Sequence, residues 1–211
     1  MAYDLEEQEQ IEEIKDWWRQ YGKLVLLAVV SVLLTITAFQ GWRYYRHQQA
    51  VAAVTLYSQL QEADQAKDAK KVNAIAEQII DKYASTPYAG IAALTAARAS
   101  FNTGELAAAK TRLQWVIDNA KDEEMRDIAR LRLAGVLLDE KKYPEALKLL
   151  DVKPVDAYNG LFADMRGDIL AAQGKAAEAR IAYQQALDKS DPKSPYYHVV
   201  QLKLDALGGV K

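Results

Sequence analysis

Residues Leu24–Phe39 contain no charged side chain, and this run constrains the chain more than any other feature. With Gln40, Gly41 and Trp42 it makes up the whole stretch between Lys23 and Arg43. At about 1.5 Å per residue a helix of that length covers roughly 28 Å, close to the ~30 Å hydrocarbon core of a bilayer. Ser31, Thr35 and Thr37 can bond back to the preceding turn, so their hydroxyls need no water. Trp17, Trp18 and Tyr21 precede the run and Trp42, Tyr44 and Tyr45 follow it, which is where amphipathic rings sit at the two membrane interfaces. A buried core helix of this length would show polar breaks on one face. A cleaved leader fits no better: acidic residues Asp4, Glu6, Glu7, Glu9, Glu12, Glu13 and Asp16 lead in, and Arg43-Tyr-Tyr-Arg46 stands where small cleavage-site residues belong. The expectation is an uncleaved transmembrane helix over 24–42.

Lys15, Arg19 and Lys23 before the span narrowly outnumber Arg43 and Arg46 after it, a lean towards a cytoplasmic N-terminus. Ile11, Ile14, Trp18 and Tyr21 recur at helical spacing, which fits a short helix resting on the membrane surface. A plain solvated charge run reads the same residues equally well.

At 211 residues the whole chain has room for one ordinary domain besides the span. Half the residues are hydrophobic, with five prolines and ten glycines, a balance suited to packed helices. The 27 basic and 29 acidic side chains nearly cancel, so no long-range field favours nucleic acid. The absence of cysteine excludes disulfides, thiolate ligands and thiol nucleophiles.

From about Gln48 onward, Ala/Leu-rich stretches alternate with polar breaks at 64–69, 84–87, 102–105, 119–123, 140–144, 152–156, 173–176 and 189–195. Helices of about 12–17 residues are expected between them, paired as antiparallel hairpins. A repeat is visible. Gly167-Asp-Ile-Leu170, Gly174, Ala179, Tyr183 and Ala186 fall at the small and large positions of a tetratricopeptide unit of about 34 residues. Ala134, Leu137, Lys141, Ala146 and Leu150 take the same offsets, with Lys141 in place of the turn glycine. Ala97, Gly104, Ala109 and Leu113 form an earlier unit, and Ala76 and Ile80 a weaker one. Ala76, Ala109, Ala146 and Ala179 recur at nearly even intervals, the middle one being longer than its neighbours and assigned to extra loop at 119–123. Pro195 can open a final helix that caps the stack. The fold class expected is all-α: an N-terminal transmembrane helix followed by a tetratricopeptide-like α-solenoid of helical hairpins. The expected division is a cytoplasmic tail over 1–23, the span over 24–42, and the repeat domain with its capping helix over 43–211.

Catalytic signatures do not accompany this layout. His47 and His198 are far apart in sequence and lack companion ligands, so neither a metal nor another cofactor is expected. Glycine-rich phosphate loops and the nucleophile-elbow pattern are absent from the sequence. Glu123-Glu124 and Asp139-Glu140 fall at helix ends, where the helix dipole and loop solvation account for them. An enzyme would have to assemble its site from scattered Asp, Glu, Lys and Tyr residues. A binding surface fits better. Repeat offsets place Leu94, Arg98, Phe101, Asn102, Leu131, Leu138, Asp139, Leu161, Asp164 and Asp168 on the first helices of successive hairpins, the concave face that takes a peptide or a partner's helix. The leucines there also read as core shared between units, whereas the charges gain nothing from burial unless paired.

The acidic start, the Trp/Tyr-flanked span, Gly41-Trp-Arg-Tyr-Tyr45 at its exit and the Ala-rich repeats through Arg180-Ile-Ala-Tyr183 together resemble the YfgM family, ancillary subunits of the SecYEG translocon in Gram-negative bacteria. The resemblance runs over essentially the whole chain. It implies an inner-membrane protein with its acidic tail in the cytoplasm and its repeats in the periplasm, contacting membrane lipid and no nucleic acid. It further implies association with SecYEG, with a membrane-anchored periplasmic prolyl-isomerase-like chaperone and with secretory proteins, a chaperone-like role without enzymatic activity, and a link to envelope stress signalling. The other reading of the same groove is an envelope adaptor for a cell-wall, division or stress-response partner.

Overall fold

The computed structural model describes the backbone of residues 2–208 and the side-chain surroundings of residues 11–12 and 15–208. Among the described residues the chain forms α-helices and one short 3-10 turn, with no strand. The helices are α1 (Ala2–Gln65), α2 (Ala69–Tyr83), α3 (Pro87–Asn102), α4 (Leu106–Asn119), α5 (Glu123–Asp139), α6 (Tyr143–Leu149), α7 (Asn159–Ala172), α8 (Ala176–Asp188) and α9 (Pro195–Ala206). Helix α1 passes through the boundary between two compact units, residues 1–49 and 50–211.

In the first unit the apolar run is helical and exposed around its circumference: Leu24, Leu27, Leu34 and Phe39 each leave more than half of their surface uncovered. Among the described residues none buries it, so it is not the packed core helix of a soluble domain, and its length and composition suit a membrane span. The Thr35 hydroxyl donates to the Ser31 carbonyl and that of Thr37 to the Leu33 carbonyl, both at 2.8 Å, as expected from their sequence positions. Past the exit, the Arg43 guanidinium lies 5.9 Å from the Phe39 ring centre and that of Arg46 lies 4.9 Å from Trp42. Such contacts hold the two cations beside interfacial rings. Ile11, Trp18 and Tyr21 are exposed, while Ile14 and the acidic residues Asp4, Glu6, Glu7, Glu9 and Glu13 lie outside the residues whose side chains are described.

The second unit is built from hairpins of α3 with α4, α5 with α6, and α7 with α8, followed by α9; ahead of them Leu60 and Ala63 of α1 share one apolar cluster with Val72, Ile75 and Ile79 of α2. Its core is three successive apolar clusters, one around Leu60, Ile75 and Ile79, one around Leu113, Leu137, Leu150 and Ile169, and one around Tyr183, Leu187 and Val200. The α1–α2 connection and each hairpin turn at one residue with positive φ: Lys67 (55°), Gly104 (80°), Lys141 (59°) and Gly174 (77°). At each of them the following N–H reaches back five residues, Asp68 to Ala63, Glu105 to Ser100, Lys142 to Leu137 and Lys175 to Leu170. This Schellman closure satisfies carbonyls that the helix end leaves open. Two turns use glycine, and two impose the left-handed conformation on lysine at a cost of about 1 kcal/mol each.

The turns correct the register of the first repeat. Ala109, Ala146 and Ala179 each lie five residues beyond a positive-φ residue, and that offset from Lys67 selects Val72 rather than Ala76. In the series Val72, Ala109, Ala146 and Ala179 the first two intervals are equal and the last is shorter. Val72 is as fully buried as the alanines, so a small side chain is not obligatory there. The 120–122 connection is no longer than 84–86, so the length of the Ala109–Ala146 interval lies in helix, α5 alone having 17 residues, and not in extra loop. Helix α6, at seven residues, is shorter than the 12–17 expected. Pro144 opens it, and the Asp151-Val-Lys-Pro154 segment does not continue it.

The large-against-small packing is tightest at Gly167. A Cβ there would lie 2.5 Å from the Tyr183 ring, so the α7–α8 approach depends on glycine. Capping follows the sequence closely: Asp68, Asp122 and Ser194 accept first-turn N–H groups of α2, α5 and α9, and Pro87 and Pro195 open α3 and α9. Glu123 and Glu124 occupy the first turn of α5, where the dipole favours them. Glu140, expected to be merely solvated, instead joins Lys110 at 2.5 Å and Lys142 at 2.8 Å, tying the end of α5 to α4 and to its own turn.

Candidate partner-binding groove

Four of the expected groove residues, Arg98, Phe101, Leu138 and Asp139, come together around one cavity of about 350 Å³ between α3 and α5. Its apolar wall is Ala97, Leu113, Gly135, Val136 and Leu138, with Phe101 exposed at the edge. Small residues at 97 and 135 leave the space that a larger pair would fill. The charged members are Arg98, Arg132 and Asp139. Arg98 donates to Asp64 at 2.6 Å, a pair that spans 34 residues of chain. Arg132 donates to the Leu94 carbonyl at a long 3.5 Å. Burial first, and then the like charge of Arg98, hold the Arg132 pKa below its ordinary value.

The other expected residues lie elsewhere. Asn102 lines a neighbouring cavity of mixed character with Asp64, Lys67, Val72 and Thr103, which Arg98 also borders. Leu94 and Leu131 pack against the central apolar cluster, as core shared between repeats, and Leu161 is half-buried on α7.

Asp164 and Asp168 are not open groove residues. Lys203 of α9 contacts both oxygens of Asp164 at 2.9 Å and one oxygen of Asp168 at 2.8 Å. The Tyr196 hydroxyl donates to Asp164 and that of Tyr183 to Asp168, each at 2.8 Å. Asp164 stands ten residues before Gly174, as Leu94 stands before Gly104, so the repeat arithmetic placed it on the right helix position. In the last repeat, however, α9 takes the place of a further first helix and covers that position. The Arg180 guanidinium fixes the other end of α9 by donating to the Leu207 carbonyl.

This buried network gives the domain an alkaline weakness. Burial, followed by the hydrogen bond to an aspartate, raises the pKa values of Tyr183 and Tyr196 far above the ordinary 10.0. For Lys203, burial pulls down, but hydrogen bonds to Asp168 and Asp164 outweigh it, and its pKa is raised from 10.5. All three groups hold their protons more tightly when folded. Their stabilisation is complete below the unfolded values and is lost as the pH climbs towards the folded ones. Stability is therefore expected to be flat through neutral pH and to fall above about pH 10. Following phenolate absorbance against helicity checks this, since Tyr183 and Tyr196 should ionise only as α8 and α9 unfold.

Sequence reasoning missed Asp64, Arg132 and Lys203. One signal was available: Asp64, Arg98 and Arg132 recur at one constant interval close to the repeat length, which puts a charge on each of three adjacent helix pairs although their offsets from the turns Lys67, Gly104 and Lys141 differ.

The fold and groove define a membrane-anchored protein of the tetratricopeptide class. A family model described as a tetratricopeptide repeat-like domain matches residues 15–209. A solved structure titled MamA RS-1 ArsTM double mutant superposes with a TM-score of 0.55 over 74% of this chain and 94% of its own, at 18% identity, a likeness of fold alone. An ancillary SecYEG translocon subunit of Neisseria gonorrhoeae is 35% identical over 98% of this chain and 100% of its own length. The proteins of that name from Haemophilus influenzae and Escherichia coli are each 30% identical, covering 88% and 95% of this chain and 91% and 96% of their own lengths. The chain belongs to this family of ancillary SecYEG translocon subunits. It is accordingly a non-enzymatic, single-pass inner-membrane protein, its N-terminus cytoplasmic and its helical repeats periplasmic.

Proposed function

We propose that the chain is a SecYEG-associated subunit that uses its repeat domain to hold a membrane-anchored periplasmic prolyl-isomerase-like chaperone and secretory proteins emerging from the translocon. Residues 1–23 form the cytoplasmic tail, 24–42 the span that meets translocon helices, and 43–211 the periplasmic domain. The names of the relatives support the translocon side of this reading. The observation that carries the binding side is the apolar cavity between α3 and α5, open beside an exposed Phe101 and edged by charge. A cavity with an apolar wall and a few fixed charges is the form that peptide recognition takes on a repeat surface.

In-cell photo-crosslinking tests it, with probes replacing Arg98, Phe101 and Asp139 around the cavity and Val30 in the span. The expected result is translocon adducts from Val30 and chaperone or secretory-protein adducts from the cavity, with few from a contrast probe at Asp168, which faces α9. Cavity adducts confined to division or cell-wall proteins would replace this reading with the envelope adaptor.

A further inference from the structure

The cavity between α3 and α5 carries a charge arrangement that the packing of the domain leaves unanswered. Arg98 has its counter-ion in Asp64 at 2.6 Å. Among the described residues, Arg132 has no carboxylate within 4.0 Å, and its one hydrogen bond is the long contact to the Leu94 carbonyl. A guanidinium presents five N–H donors, so most of its capacity is unused by the protein. Asp139 is likewise outside every ion pair among the described residues, and it stands seven residues further along α5, about 10.5 Å away on an ideal helix, too far to serve Arg132. The cavity is therefore cationic at its Arg98–Arg132 end, anionic at Asp139, and apolar between.

This inference rests on the cavity being the binding site proposed above. We infer that the cavity takes an apolar side chain from a partner segment that carries a carboxylate beside it, and that Arg132 receives the carboxylate. A planar guanidinium fork matches a carboxylate in two parallel hydrogen bonds, and its proximity to Arg98 makes an added anion more favourable still. The apolar wall selects a peptide side chain over a free inorganic anion. The order of charges also sets direction: the carboxylate lies towards the start of α5, and a basic residue of the partner fits two turns further on, beside Asp139.

Fluorescent peptides with the core Xaa-Leu-Phe-Gln, where Xaa alone varies as Glu, Gln or Lys, are titrated against the full chain in lipid nanodiscs. The Glu peptide is expected to bind about tenfold more tightly than the Gln peptide, and the Lys peptide more weakly than either. Arg132→Gln should abolish the Glu preference, so that the Glu and Gln peptides bind alike, while helicity stays unchanged. Phe101→Ala should weaken all three peptides. Equal binding of the Glu and Gln peptides, or a preference that survives R132Q, overturns the carboxylate assignment; if F101A still weakens binding in that case, the cavity as binding site stands. Absence of saturable binding by any peptide, together with absence of cavity adducts in cells, overturns both.

Discussion

Lys203→Met is expected to release the C-terminal helix while the earlier repeats stay folded. The methionine keeps most of the side-chain stem and removes only the charge that joins Asp164 and Asp168. The two carboxylates then face each other, with Asp164 only 10% exposed and its remaining partner a tyrosine hydroxyl. Breaking one side of a buried pair costs about 3–5 kcal/mol, and about 3 kcal/mol applies here because Lys203 keeps 31% of its side chain in solvent. In a repeat array each unit contacts only its neighbours, so the loss stays local. Hydrogen exchange should show residues 195–206 of α9 losing protection first, α8 next, and α2 to α4 unchanged. Adding Asp164→Asn to Lys203→Met should restore much of the loss by removing the repulsion. Uniform loss across all helices, or none in α9, would show that Lys203 does not pin the cap.

The same network marks where sequence reading stopped. The span, the eight breaks and the hairpin order depend on local chemistry, such as an uncharged run, Pro87 and Pro195 at helix starts, and Asp68, Asp122 and Ser194 as caps, and all of these are visible in the chain itself. Repeat offsets also carried Leu94, Leu131 and Asp164 to one matching place on successive helices, and Arg98 and Asp168 to another. They do not reveal what lies against each place. Asp164 meets a lysine 39 residues away, and Arg98 meets an aspartate 34 residues before it. The first pairing depends on where α9 lands, which no local pattern encodes. The register of the first repeat was lost for a different reason. Alanine is an uncertain marker in a chain so rich in it, whereas the positive-φ turn, occupied by Lys67 and Lys141 as readily as by glycine, is a conformation and not a residue type.

Asp127 is the second position where one side chain holds a large part of the fold. It sits on α5 with 2% of its surface exposed, and the sequence gives it no distinction from the other aspartates. One carboxylate oxygen accepts the Val155 backbone N–H at 2.8 Å, and the other accepts from Arg130 at 2.8 Å. The first bond crosses 28 residues and fixes the segment between α6 and α7, the one long connection in the repeat domain. Because α6 is short, that segment has little helix to guide it, and the hydrogen bond to Val155 sets where α7 begins. Asp127→Ala leaves a part-buried N–H and a guanidinium without their acceptor, an expected loss of about 3–4 kcal/mol. Asp127→Asn keeps one acceptor oxygen but turns an amide donor towards the second donor, so its loss should be smaller yet clear. Denaturant unfolding gives both magnitudes, and exchange at the Val155 amide reports the local cause. If D127A matches the wild-type midpoint, or if Val155 stays protected in it, α5 does not position the second half of the solenoid through this carboxylate.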